Sequence, residues 1–105
     1  MKNTLILNKN NIKYCTSFHS RLKGMMFNKN KENIIYCFPR CTSIHTFFMF
    51  KNIDVLVCDK DNNILKIITN LKPFRIIFPI KKAYYIYEID HNTISIDNVS
   101  KINVI

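Results

Sequence analysis

Cys41, His45 and Met49 recur at intervals of four in the stretch CTSIHTFFM, residues 41 to 49, and Cys37 extends the spacing backwards. Thiolate, imidazole and thioether are soft donors that suit copper(I), or zinc with a fourth group. A cysteine beside a histidine also makes an activated nucleophile. Geometry decides whether either chemistry is available. On a helix, residues four apart sit about 6 Å from each other on one face and can share an ion. On a strand, the same spacing spreads them about 13 Å apart, at roughly 3.3 Å per residue. Thr42, Ile44, Thr46, Phe47 and Phe48 favour a strand, and Pro39 disfavours a helix running through from Cys37. A metal or thiolate site on Cys41, His45 and Met49 therefore requires a turn within residues 41–43. Without one, His45 is a hydrogen-bonded residue of a half-buried strand and Met49 packs against aromatic rings.

Two acidic residues stand out against apolar surroundings. Asp54 is in phase with Leu56 and Cys58 inside IDVLVC, residues 53 to 58. A carboxylate buried there is costly unless paired or well hydrogen-bonded. Arg21 and His45 are its natural partners, as a structural ion pair. The functional alternative gathers Arg21, His45, Thr46 and Asp54, with Glu88 as a further member, around one polar pocket, bordered by Met26 and Met49, that takes a small anionic or hydroxylated ligand. Glu88 follows Tyr84 and Ile86 on one face of a strand. There it either binds a polar ligand at the mouth of an aromatic-lined sheet, or pairs with a lysine or backbone donors nearby.

The elements that must position these groups are mostly strands. TLIL (4–7) and IKYC (12–15) flank the Asn-rich turn NKNN, and IIYCF (34–38) is ended by Pro39. IHTFFMF (44–50) is rich in β-formers. IDVLVC (53–58) is apolar on both faces apart from Asp54, as a strand covered on both sides would be. The polar turn DKDNN returns the chain as a hairpin through ILKIITNL (64–71), with Leu65, Ile67, Thr69 and Leu71 expected on one face. FRIIF lies between Pro73 and Pro79; AYYIYEI (83–89), TISI (93–96) and INVI (102–105) complete the set. One helix is expected over residues 16–27, capped by Thr16 or Ser17, with Phe18, Leu22 and Met25 or Met26 at helical spacing. Gly24, the only glycine, would close it at a position needing a positive φ or a close approach. The pattern predicts a mainly-β, single-domain sandwich or barrel-like fold over residues 1–105, with one short N-terminal helix.

Several of these segments occur together in a recognisable order. RLKGMMF (21–27), CFPRCTSIHTFFMFKNIDVLVCDKDNNILKI (37–67), LKPFR (71–75) and AYYIYEI (83–89) resemble the pattern of the bacterial and archaeal family called domain of unknown function 192. Cys41, His45, Thr46, Met49, Asp54, Asp59 and Pro73 fall at the family's separations. After the Glu88 strand the family usually has Ala-Gly and later Gly-Asp. Here IDHNTISIDNVSKINVI has no glycine, and Asn92 is the expected substitute at a positive-φ position. The resemblance implies a compact, mainly-β, sandwich-like fold and no established activity.

Bulk properties bound the remaining choices. The chain has 105 residues, a formal net charge of +9 and four cysteines. Its lysines are scattered through NKNNIK and NKNKEN, which describes a solvated basic surface better than a nucleic-acid face. No signal peptide or run approaching twenty apolar residues is present, so the reading is a cytoplasmic protein without a membrane span, its cysteines reduced and mostly buried. No P-loop, GxSxG elbow, dinucleotide fingerprint, HExxH or EF-hand loop occurs, which disfavours the enzymes built on them. The preferred function is a non-catalytic ligand-binding or accessory domain whose partner is a small molecule or another protein. The alternatives are a copper or zinc site at Cys41, His45 and Met49, and weak nucleic-acid binding.

Overall fold

A strand that is apolar on both faces must be covered on both faces, and IDVLVC sets the architecture. In the computed structural model, which describes residues 3–15, 34–44, 52–91, 94–96 and 98–105 together with the backbone of His45, all six residues of this strand are buried. The strands are β1 (Asn3–Leu7), β2 (Ile12–Tyr14), β3 (Ile35–Pro39), β4 (Ile44–His45), β5 (Ile53–Cys58), β6 (Ile64–Leu71), β7 (Ile76–Ile77), β8 (Tyr85–Asp90) and β9 (Val99–Val104). Five of them form a central sheet in the order β2-β3-β8-β5-β6, antiparallel except for the β2–β3 pair.

Successive residues of a strand point to opposite faces, so the central sheet carries two apolar surfaces. Tyr36, Phe38, Val55, Val57 and Ile86 form one, packed with Ile44 and Ile77 of the antiparallel pair β4–β7. Cys37, Leu56, Cys58, Tyr87 and Ile89 form the other, packed with Leu7 and Ile102 of the parallel pair β1–β9. Each fully buried aliphatic side chain contributes roughly 1.5–3 kcal/mol, so both layers are required. The result is mainly β, a central sheet between two small ones. The sheets do not close: no ladder joins the edge strands β2 and β6, so the barrel-like alternative is not adopted.

Four expectations are corrected or left aside. The NKNN turn is a 3₁₀ turn, Lys9–Asn11, in which the Asn8 side chain accepts from the Asn10 N–H at 2.9 Å. It carries the chain from the outer pair to the edge of the central sheet, so β1 and β2 do not pair with each other. Among the described residues it is the one helical element; the helix expected over 16–27, with Gly24, lies outside them. Strict alternation fails in β6. Cys58 faces Ile64 while Val57 faces Lys66, and Val55 faces Ile68 while Ile53 faces Leu71. Each shift inserts an extra residue into β6. Ile67 consequently packs on one face and Ile68 and Leu71 on the other, and Leu65 is left 40% exposed. Residues 94–96 are not a strand, yet Ile96 is buried beside Ile102.

Three of the six positive-φ residues among the described ones are asparagines, the others being Arg40, Phe74 and Lys82. Asn62, Asn70 and Asn98 take φ values of 63°, 56° and 62°, a region that asparagine tolerates better than most residues. Asn92, the expected case, lies outside the described residues. The β5–β6 loop is organised by Asp59. Its Oδ1 accepts from the backbone N–H groups of Asn63 and Asp61, both at 2.9 Å. Those bonds, chiefly the one from Asn63, and the Lys101 charge hold its carboxyl below the usual range. The loop then docks outward. The Asn62 carbonyl accepts from the Ile102 N–H at 3.0 Å, and its side chain accepts from the buried Tyr87 hydroxyl at 2.8 Å. Removing that hydroxyl with Tyr87→Phe is expected to cost about 1 kcal/mol. Chemical denaturation should register the loss with an unchanged m-value.

Candidate functional site

Asp54 lies where β6 bulges. Opposite Asp54 the partner strand carries an extra residue, and Asn70 sits there with a positive φ. A bulge takes a backbone N–H out of the ladder. The Asp54 side chain supplies the acceptor: its Oδ1 takes the Asn70 N–H at 2.9 Å. The same oxygen lies 2.7 Å from Nδ1 of His91. A carboxylate oxygen only accepts, which assigns the shared proton to Nδ1. Two further bonds close a ring. The Asn52 side-chain amide donates to Asn70 Oδ1 at 2.8 Å, and the His91 N–H donates to the Asn52 carbonyl at 3.3 Å. The ring ties together the start of β5, the end of β6 and the residue following β8. Asp54 is 4% exposed in its side chain and His91 is 30% exposed.

His91 was not among the residues the sequence singled out. The signal lay in register: Asp54 faces Ile89 across the β5–β8 ladder, and residue 91 is the next on the same face. Of the partners suggested for Asp54, Arg21 and the side chain of His45 lie outside the described residues.

Glu88 occupies a different environment. It faces Val55 on one side and Tyr36 on the other, and shares its sheet face with Ile86. It is 4% exposed. No cation or hydrogen-bond donor among the described residues engages its side chain, and burial pushes its carboxyl up from 4.5 to about 8. It is therefore protonated at neutral pH, a donor as well as an acceptor. Asp54 alternates with the opposite face, that of Leu56 and Cys58. The sheet itself separates the two carboxyls, and they do not line one cavity.

His45 is placed by its backbone alone. It pairs with Ile76, while the preceding Ile44 packs on the surface that also bears Glu88. Thr46, Met49 and Met26 lie outside the described residues. Cys41 is part-buried against the same surface, and its thiol donates to the Ser43 carbonyl at 3.0 Å. Cys37 belongs to the opposite surface. Burial pushes the thiols of Cys37 and Cys58 up to about 12, so both are protonated. No cysteine is in a disulfide. Among the described residues no three His, Cys, Asp or Glu side chains group as metal ligands do, and no helix is long and apolar enough to cross a membrane.

Comparison with known proteins agrees with this frame. The model of the family named domain of unknown function 192, described as "Uncharacterized ACR", matches residues 2–102. A UPF0127 protein from Pyrococcus horikoshii is 37% identical in an alignment of 81 positions that covers 73% of this chain and 70% of that protein. One from Pyrococcus abyssi is 33% identical, covering 73% of this chain and 68% of its own length. Among solved structures, a Sinorhizobium meliloti protein described as a "putative transcription regulator" superposes with a TM-score of 0.69 at 19% identity, over 86% of this chain and 75% of that one. A protein of unknown function from Novosphingobium aromaticivorans gives 0.65 at 15% identity, over 77% of this chain but only 63% of that one. At such identities the two structures speak for the fold alone. The family model spans nearly the whole sequence, and the chain belongs to the domain of unknown function 192 family.

Proposed function

We propose that the protein is a small, non-catalytic ligand-binding or accessory domain, working in the cytoplasm, whose binding face is the one bearing Glu88. The observation that carries this reading is the Glu88 carboxyl, buried within an apolar sheet face with no compensating partner among the described residues. Such a group is costly to keep for stability alone. As a neutral acid it would both donate to and accept from a polar ligand. Arg21, His45 and Thr46 are the further polar groups proposed for this face. The backbone of His45 pairs with Ile76, next to Ile44, which packs on this face, and this supports the choice. Asp54 is assigned a structural role on the opposite face, since its bonds to Asn70 and His91 account for its burial.

Native mass spectrometry of freshly purified protein tests the proposal. A non-covalent small-molecule adduct is expected on the wild type and should be lost in Glu88→Leu, which removes both donor and acceptor, and in His45→Ala, while Asp59→Asn, on a distant loop, retains it. An adduct that survives in Glu88→Leu refutes the assignment. The soft-metal alternative on Cys41, His45 and Met49 predicts stoichiometric copper or zinc that disappears in Cys41→Ala. The Cys41 thiol bonded to the Ser43 carbonyl supports the metal-free reading.

A further inference from the structure

The segment LKPFRIIFPIKK, residues 71 to 82, is tied to the fold by Leu71, Ile77 and Ile80, which pack against the central sheet, yet it leaves large apolar side chains in solvent. The residues alternating with Ile77 point outward: Ile76 is 54% exposed and Phe78 is 77% exposed, and nearby Phe74 is 66% exposed. Phe74 also holds a φ of 63°, a conformation uncommon for a bulky side chain and a mark of local backbone strain where it occurs. Arg75, Lys81 and Lys82 are exposed within and beside this stripe, and the segment contains no acidic residue. Large apolar side chains displayed together are unusual on a protein surface and mark a place of contact.

We propose that this segment is a peripheral docking face for an anionic lipid bilayer. Phe74, Ile76 and Phe78 enter the boundary between headgroups and acyl chains, and Lys81 and Lys82 meet the lipid phosphates. The charge complementarity is direct, because a stripe with only positive charges suits a negative surface. Two physical arguments favour lipid over macromolecular occupants. Single-stranded nucleic acid needs a flat π-face for each base, and the central Ile76 has none, whereas hydrocarbon accepts all three side chains. Strand addition by a protein needs an open ladder edge, and β7 is two residues long between Pro73 and Pro79, which lack N–H donors. The proposal does not depend on a ligand at Glu88.

Co-sedimentation with vesicles decides it. The protein should pellet with phosphatidylcholine vesicles containing phosphatidylserine, and far less with phosphatidylcholine alone. Lys81→Ala with Lys82→Ala should weaken partitioning roughly 30-fold, at about fivefold per cation. Phe74→Ser with Phe78→Ser should weaken it by more than about tenfold, with an unchanged circular dichroism spectrum. The chain has no tryptophan, so Phe78→Trp supplies a sole indole whose emission should shift to the blue on adding the anionic vesicles. That variant keeps the test open if the double serine variant does not fold. Absence of pelleting, a Phe78→Trp emission that ignores vesicles, or binding to a single-stranded oligonucleotide in place of vesicles overturns the proposal.

Discussion

Glu88→Gln is expected to melt well above the wild type at pH 9 and to coincide with it near pH 4. Below about 4.5, folded and unfolded chains both carry the Glu88 proton, so the group is neutral to stability. As pH rises from 4.5 to about 8 the unfolded chain releases the proton while the folded chain keeps it, and stability falls throughout that window. Above about 8 both forms are ionised and the loss is complete. Its full size is on the order of 5 kcal/mol, taking about 1.4 kcal/mol for each pH unit of the window. For a domain of this length that is a difference of about 15 °C or more in melting temperature. Glutamine keeps the shape and the donor while removing the ionisation. Melting curves between pH 4 and 9 should show a Glu88-dependent slope in the wild type and its absence in the variant. Parallel curves would place a counter-charge beside Glu88 and withdraw the reading of an uncompensated acid.

The second large effect is at Asp54. Asp54→Ala removes the acceptor for both the Asn70 N–H and His91 Nδ1. Leaving two donors without a partner in a part-buried site is expected to cost about 2–4 kcal/mol. His91→Ala should cost less, about 1 kcal/mol, because its ring is already 30% exposed. The double variant should fall short of the sum, since both singles break the same contact. Amide exchange gives the local readout: the Asn70 N–H should lose protection in Asp54→Ala well before the centre of β5 does. Additive energies, or an Asn70 amide that keeps its protection, would show that the ring is not what holds this end of the sheet.

Much of the β framework was legible because composition changes sharply at its boundaries. β5 and β6 begin and end as the apolar runs IDVLVC and ILKIITNL do, with the polar DKDNN between them. The demand that β5 be covered on both faces also followed from its residues. Pairing was not legible in the same way. TLIL and IKYC are equally good short strands beside one turn, yet they belong to different sheets. Their partners lie far away in the sequence, and local propensity carries no information on distant pairing. The bulges in β6 reversed which of its side chains face inward, because a one-residue insertion flips every position beyond it. The candidate site inherits that limit. Asp54 and Glu88 were each recognisable as acids among apolar residues. Their separation by the sheet depended on alternation read through the β5–β8 register, and His91 as a partner required the same register.

The parallel β1–β9 pair sets the order in which the molecule can assemble. Asn3 faces Val99, and Leu7 faces Val104, close to the two extremes of the 105-residue chain. During synthesis β1 precedes β9 by more than ninety residues and has no partner until they have been made. Until then the surface formed by Leu56, Cys58 and Ile89 lacks its lid. Closing so long a loop precedes any reward from the contacts it makes, which slows folding and prolongs the life of a partly covered intermediate. For a nascent chain the exposed face is thus the one opposite Glu88, and a chaperone that shields this protein would meet it there.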